Sequence, residues 1–391
     1  MKTNILFVIF SFFTALVISF YAIPVIIKVA YIKKIYDKPG GRKTHKGHVP
    51  NLGGIAIFAA FIMSFVCWTN FSNSAQLQYF ILGLILLHFM GVKDDIVSLT
   101  PYKKLAGQVI SAAILVIPGK FRIVDMHGIL GIYGLAPWLG IILSVFAAVL
   151  IINSFNLIDG IDGLAGGISL IIALTYSYIF FQRGMYSALI ASAALSGSLI
   201  SFLFYNWQPA KIFMGDAGSM SIGYLMAALS FLVVNSGVEN TASFIHFNHN
   251  PAMVVAFLII PLFDTLRVFM IRIYNRQSPF AADCNHIHHK LLKLGLSHQR
   301  ATLLLCTVNL MFIALAYLLQ DFNPNAVILA MLAVAGVFTA IPTWALQYME
   351  RTKRHLPQFE PSIEIISSLS TPVISKRALE SEPQAAEVHL N

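Results

Sequence analysis

An all-α integral membrane protein with about eleven transmembrane helices is predicted by three features of this sequence. Of its 391 residues, 57% are hydrophobic and 11% charged, where a soluble chain carries roughly 25% charged residues. Apolar runs long enough to cross a hydrocarbon layer of about 30 Å recur along most of the chain. Lysine and arginine sort between alternate loops, as positive-inside insertion requires. No single soluble core would bury so much apolar surface, so lipid is the expected solvent.

The first run, 4–30, is longer than a signal-peptide core of roughly 7–15 residues and lacks a small-x-small cleavage site, so it reads as a retained helix. The following runs cover 52–69, 76–92, 105–119, 137–154, 163–182, 186–205, 217–235, 251–271, 299–319 and 325–348, making eleven. The loop 120–136 alternates apolar and polar residues and reads as an outer hairpin. An odd number of spans puts the termini on opposite sides. Loops 31–50, 91–104, 155–162, 206–216 and 267–300, with the tail from 349, hold 21 Lys and Arg; the other side holds four, Lys2, Lys120, Arg122 and Arg183. The first set is therefore assigned to the cytoplasm, with the N-terminus outside. Residues 1–349 form the polytopic domain. Residues 350–391 form a polar cytoplasmic tail, expected to be disordered.

The same count disposes of other classes. The net charge of +9 is positive-inside sorting, so no nucleic-acid partner is expected. Cys67, Cys284 and Cys306 are too scattered for a disulfide framework or a zinc site. Acids need a separate cause, because insertion hardly sorts them. Of ten aspartates, eight fall on or just inside the cytoplasmic face (Asp37, Asp94, Asp95, Asp159, Asp162, Asp216, Asp264 and Asp283), and no glutamate precedes Glu239.

Five polar stretches carry the chemistry. Tyr36–Gly54 is a cationic loop broken by Gly and Pro, in which Arg42, Lys43 and His45 offer donors suited to phosphate. Asp94 and Asp95 close the third run, with Lys103 and Lys104 opening the fourth. Adjacent carboxylates repel unless a cation or a proton intervenes, and Mg²⁺ with phosphate would resolve that repulsion. In NSFNLIDGIDGLAGG, helical spacing puts Asn153, Asn156 and Asp159 on one face, with Asp162 continuing it. Capping accounts for one or two such residues, hardly four. Asp216, between Gly215 and Gly218, opens the eighth run, where capping alone would suffice. Finally, Arg272–Gly295 crowds His286, His288 and His289 among Arg272, Arg276 and Lys290, a set better suited to a diphosphate than to zinc.

In order along 30–300, the motifs D-x-P-x-x-R-K-x-H (Asp37–His45), Asp94–Asp95, N-x-x-N-x-x-D-G-x-D-G-L-A (Asn153–Ala165), F-M-G-D-x-G-S (Phe213–Ser219) and S-P-F…H-I-H-H (Ser278–His289) resemble those of the polyprenyl-phosphate N-acetylhexosamine-1-phosphate transferases. The His-x-His-His form is similar to the N-acetylglucosamine branch rather than to the branch that uses UDP-MurNAc-pentapeptide. The resemblance implies transfer of a sugar 1-phosphate from a UDP-N-acetylhexosamine to undecaprenyl or another polyprenyl phosphate, with release of UMP, at the cytoplasmic face of a bacterial plasma membrane. It implies Mg²⁺, with Mn²⁺ as a substitute, held by Asp216 and Asp159. Asp94 and Asp95 would handle the lipid phosphate, so that Asp94, Asp95 and Asp216 form the catalytic set. Asn153, Asn156, Asp159 and Asp162 would line the nucleotide site, with Phe213 near the uracil. Lys43, His45, Lys104, Arg272, His286, His288 and His289 would meet the sugar and its phosphates. Membrane lipid is the expected surround, and a homodimer is left open. One departure is Ser98, where that branch often carries a third acid three residues after the pair. A transporter of an anionic or nucleotide substrate would instead spread polar residues through the middles of several spans.

Overall fold

The computed structural model describes residues 2–35, 49–71, 75–236, 250–278 and 285–355. Its elements are α1 (Lys2–Lys33), α2 (Gly53–Trp68), α3 (Gln76–Ile96), α4 (Pro101–Val116), a hairpin of β1 (Asp125–Ile129) and β2 (Ile132–Gly134), α5 (Pro137–Ile158), α6 (Leu164–Gln182), α7 (Tyr186–Asn206), α8 (Gly215–Asn235), α9 (Asn250–Phe257), α10 (Ile259–Tyr274), α11 (Ile287–Lys293), α12 (His298–Leu318) and α13 (Pro324–His355). One compact unit runs from Met1 to Leu346; a second comprises Gln347–Asn391, of which only the end of α13 is described.

Every expected apolar run is helical, and the loop after α4 is the expected antiparallel hairpin, its strands joined by Leu130 and Gly131 at positive φ. Among the described residues, seven helices are long and apolar enough to cross a membrane, or eight if α9 and α10 count as one broken span. The 16 residues of α2 and of α4 give about 24 Å at 1.5 Å per residue, short of a hydrocarbon layer of about 30 Å. The run 251–271, read as one span, is two helices bent by 80°. Pro261, in the first turn of α10, has no N–H to carry the helix ladder back across the break.

α8 lies at the centre, packed by α2, α3, α5, α6 and α9. Its Gly, Ala and Ser residues let neighbouring backbones approach closely, which is how helices associate without a hydrophobic drive in lipid. Buried hydroxyls tie the bundle: Tyr224 Oη donates to the Phe80 carbonyl at 3.0 Å, and Ser64 and Ser201 reach α1 carbonyls at 2.6 Å. Phe13, Trp138, Phe146, Met311 and Trp344 stand exposed on the outer helices, the surface a lipid solvent would cover. The burial of α8 aims its N-terminus into a gathering of helix ends.

Candidate active site

Four helix ends meet at one end of the bundle: the C-termini of α3 and α5 and the N-termini of α4 and α8. Asp94 and Asp95 are adjacent in sequence, but a helix turns about 100° per residue, and the two carboxylates go to different partners. Asp95 turns onto the first turn of α8. Its Oδ1 accepts from the Asp216 N–H at 2.8 Å and from Asn51 Nδ2 at 3.2 Å, and its Oδ2 accepts from the Ala217 N–H at 3.0 Å. The first N–H groups of a helix have no partner within it and carry its positive dipole end. A carboxylate from another helix supplies the cap here.

Asp94 turns to α4. Lys104 Nζ lies 3.1 Å from Asp94 Oδ2 and 2.9 Å from Asp216 Oδ2, so one ammonium bridges the two acids. Asp94 Oδ1 also accepts from the Leu99 N–H at 2.6 Å. The Asp216 side chain keeps 30% of its surface exposed, against 8% for Asp94, so Asp216 is the acid a ligand meets. Its Oδ1 accepts from Asn156 Nδ2, which also reaches Ser219 Oγ at 2.9 Å. Phe213, partly exposed ahead of α8, is fixed through its backbone: its N–H donates to Pro50 O at 2.8 Å, and its carbonyl accepts from Gly53 N at 2.9 Å.

The face expected to run from Asn153 to Asp162 is corrected by the end of α5 at Ile158. Asn153 lies deeper, in a reciprocal amide pair with Gln108 of α4 (2.7 and 3.3 Å). Asn156 reaches Asp216. Asp159 is the residue after the helix, at φ −76° and ψ 59°. Burial first, then the charges of Asp216, Asp95 and Asp162, push its carboxyl up to about 8. After it the chain turns, and Asp162 leaves that face. Its Oδ2 accepts from the Ala210 N–H at 3.3 Å, its Oδ1 lies 3.4 Å from His298 Nδ1, and its carbonyl accepts from Thr302 Oγ1 at 2.8 Å. Asp162 thus clamps the segment after α7 to the start of α12.

The histidine motif approaches the same turn. His286 and His288 are buried with stacked rings 5.7 Å apart, and His289 is 4.2 Å from His288. Burial, ahead of the neighbouring imidazoles, pushes His288 down to about 3, so its ring is neutral over ordinary pH. A Cβ at Gly160 would lie 2.2 Å from His288 Nε2, so glycine alone lets the ring reach the α5–α6 turn. Gly160→Ala is therefore expected to displace His288 and raise the KM of a substrate that meets the ring by about tenfold, roughly the cost of one lost hydrogen bond. The melting temperature should change little. Steady-state kinetics with each substrate varied in turn check this, and unchanged KM values would remove the ring from the site. Arg272 is buried in α10 with its guanidinium 5.8 Å from the Phe269 ring. Arg267, which no sequence signal distinguished from its neighbours, also stands beside the motif. Asn51 and Gln108 likewise carry no signal in the sequence, being ordinary polar residues whose partners lie on other helices. Lys43 and His45 lie outside the described residues.

Among the described residues, no three His, Cys, Asp or Glu side chains form a metal cage by themselves. Mg²⁺ takes one or two carboxylates and completes its shell with water and substrate phosphate; the acids that could offer those carboxylates here are Asp216 and Asp159. The oxygens of Asp216 and Asp94 already share a cation, the Lys104 ammonium.

Residues 77–234 match the family model for glycosyl transferase family 4. The chain is 32% identical over 312 residues to a probable undecaprenyl-phosphate N-acetylglucosaminyl 1-phosphate transferase of Bacillus subtilis (strain 168), covering 80% of this chain and 83% of that relative. It is 32% identical over 356 residues to a decaprenyl-phosphate N-acetylglucosaminephosphotransferase of Mycobacterium tuberculosis (strain ATCC 25618 / H37Rv), covering 84% and 87%. It is 28% identical over 341 residues to an undecaprenyl-phosphate alpha-N-acetylglucosaminyl 1-phosphate transferase of Escherichia coli (strain K12), covering 84% and 90%.

Proposed function

Because the chain belongs to glycosyl transferase family 4, we propose that it transfers N-acetylglucosamine 1-phosphate from UDP-N-acetylglucosamine to a polyprenyl phosphate such as undecaprenyl phosphate, releasing UMP. The observation that carries this reading is the cation-bridged pair Asp94–Asp216 beside Asn156 and Asp159, at the mouth of a bundle whose outer helices expose apolar side chains. The names of the relatives, all N-acetylglucosamine phosphotransferases acting on a polyprenyl phosphate, supply the substrate class.

On this reading Asp216 and Asp159 hold Mg²⁺, and Asn156 aims the Asp216 carboxylate. Mg²⁺, when bound, neutralises charge on the donor diphosphate. A phosphate monoester has its second pKa near about 6, so the acceptor is already nucleophilic at neutral pH and needs no strong base. Asp94 and Lys104 then orient it for in-line attack on the sugar-linked phosphorus, the bond to UMP breaking as the new diphosphate forms. Asp95 acts one step back, by fixing the first turn of α8. Phe213 contacts the base, with Asn153 and Asp162 supporting the walls of the nucleotide site. The histidines, Lys43 and His45 meet the diphosphate and sugar. Eleven spans, with the site open to the cytoplasm of a bacterial plasma membrane, fit the 21-to-four sorting of Lys and Arg.

The test uses purified protein in detergent with undecaprenyl phosphate, Mg²⁺ and radiolabelled UDP-N-acetylglucosamine. Lipid-extractable label should appear with an equal amount of UMP, stop with EDTA and resume on adding Mg²⁺. Transfer from another UDP-N-acetylhexosamine alone would correct the sugar. Folded protein inactive with every such donor would overturn the reading.

A further inference from the structure

Asp264 belongs to none of the motifs above, yet it anchors the histidine motif. It sits in α10 shortly after the 80° break and is 3% exposed. Its Oδ2 lies 2.8 Å from His286 Nδ1. Its Oδ1 accepts from Arg267 Nη2 at 2.7 Å and from the N–H of Ile287, the first residue of α11, at 3.1 Å. Arg267 Nη2 also donates to the Asn285 carbonyl at 2.7 Å. The carboxylate thus holds the ring of His286 and the backbone after it, and Arg267 holds the backbone before it.

The far side of that ring is incomplete. His286 Nε2 is buried with no hydrogen-bond partner among the described residues, as are both ring nitrogens of His288 stacked beside it. Buried polar atoms are almost always paired, and the His288 ring, which His286 stacks on, stands against Gly160, next to Asp159. A ligand atom would complete them. A carboxylate behind a histidine fixes which nitrogen carries the proton and stabilises the ring when it is charged.

We infer that Asp264 is a positioning residue for the transfer: it holds His286 with Nδ1 protonated and facing the carboxylate, and so turns Nε2 toward a phosphate group of a substrate. The inference rests on the proposed phosphoryl transfer. Arg267 holds the carboxylate from its other side, so the Asp264 charge stays directed at the ring.

The test compares Asp264→Asn, His286→Gln and the double variant with wild type, varying UDP-N-acetylglucosamine and undecaprenyl phosphate separately. Asp264→Asn should lower kcat/KM by about 10- to 100-fold, the usual effect of removing a carboxylate behind a functional histidine. The double variant should be no worse than His286→Gln, because Asp264 acts through that ring. A KM change confined to the UDP-sugar assigns the phosphate to the donor, and one confined to the lipid assigns it to the acceptor. Additive losses, or a fully active Asp264→Asn, would overturn the inference. Inactive wild type would overturn the transferase reading, and this inference with it. Should Asp264→Asn not fold, ¹⁵N spectra of histidine-labelled wild type decide: Nδ1 of His286 protonated supports the assignment, and Nδ1 bare overturns it.

Discussion

Asp216→Asn is expected to abolish sugar 1-phosphate transfer, with kcat falling by about 10³-fold or more, the equivalent of about 4 kcal/mol of charge stabilisation. Both carboxylate oxygens face donors: Oδ1 receives Asn156 Nδ2, and Oδ2 lies 2.9 Å from the Lys104 ammonium. An amide cannot satisfy both. Whichever way Asn turns, its NH₂ group points at another donor and the charge that holds Lys104 is gone. Stability should change little, because the helix start is held by Asp95 accepting from the Asp216 and Ala217 backbone N–H groups, which the substitution leaves intact. Radiolabel transfer, a thermal melt and a Mg²⁺ titration of the same preparation read all three quantities. Activity within about tenfold of wild type, a barrier change near 1.4 kcal/mol, would mean that Asp216 is not a ligand.

Gly54→Ala is expected to be the most damaging small change outside the charged cluster. A Cβ there would lie 2.1 Å from the Gly218 nitrogen, 2.4 Å from its Cα and 2.8 Å from the Ala217 carbonyl carbon. All three are backbone atoms of α8, which is packed on every side, so no rotamer change relieves the clash. The start of α2 is also bonded to this region, with Gly54 N donating to Met214 O at 2.8 Å. Overpacking of this kind costs about 1–3 kcal/mol. At roughly 2–4 °C per kcal/mol for a chain of a few hundred residues, that means a lower melting temperature. Transfer should fall as well, because parting the two helix starts carries Asp216 away from Asp95 and Asn156. Gly134→Ala, in the hairpin where a Cβ meets nothing within 4 Å, is the control and should be silent. Equal effects at the two positions would show that the contact between α2 and α8 does not set the site.

Local features of the sequence were enough for the broad architecture. Apolar length is a property of consecutive residues, so every run became helix, and the alternation after α4 became a hairpin. The gathering of aspartates was likewise legible, because carboxylates are costly at membrane depth and stand out in an apolar sequence. The family motifs named the acids that meet, Asp94, Asp95, Asp159 and Asp216, and the histidines that approach them.

Partnership was not legible, because it depends on contacts between helices far apart in sequence. Nothing in Asp94–Asp95 tells that one acid shares Lys104 with Asp216 while its neighbour caps α8; the turn of α3 separates them, and the packing of α8 chooses. Asn153 and Asp162 carry the same signal as Asn156 and Asp159. The end of α5 at Ile158 gives them structural partners, Gln108 for one and the Ala210 and Thr302 backbone and side chain for the other. Asp264 looked like one more aspartate near the membrane face until the break before α10 brought it to His286, 22 residues away. Residue type and hydropathy act over a few residues and settled what each segment is. Which carboxylate is free for a cation and which is committed to a helix was decided only when the bundle closed, because the competing donors come from other helices.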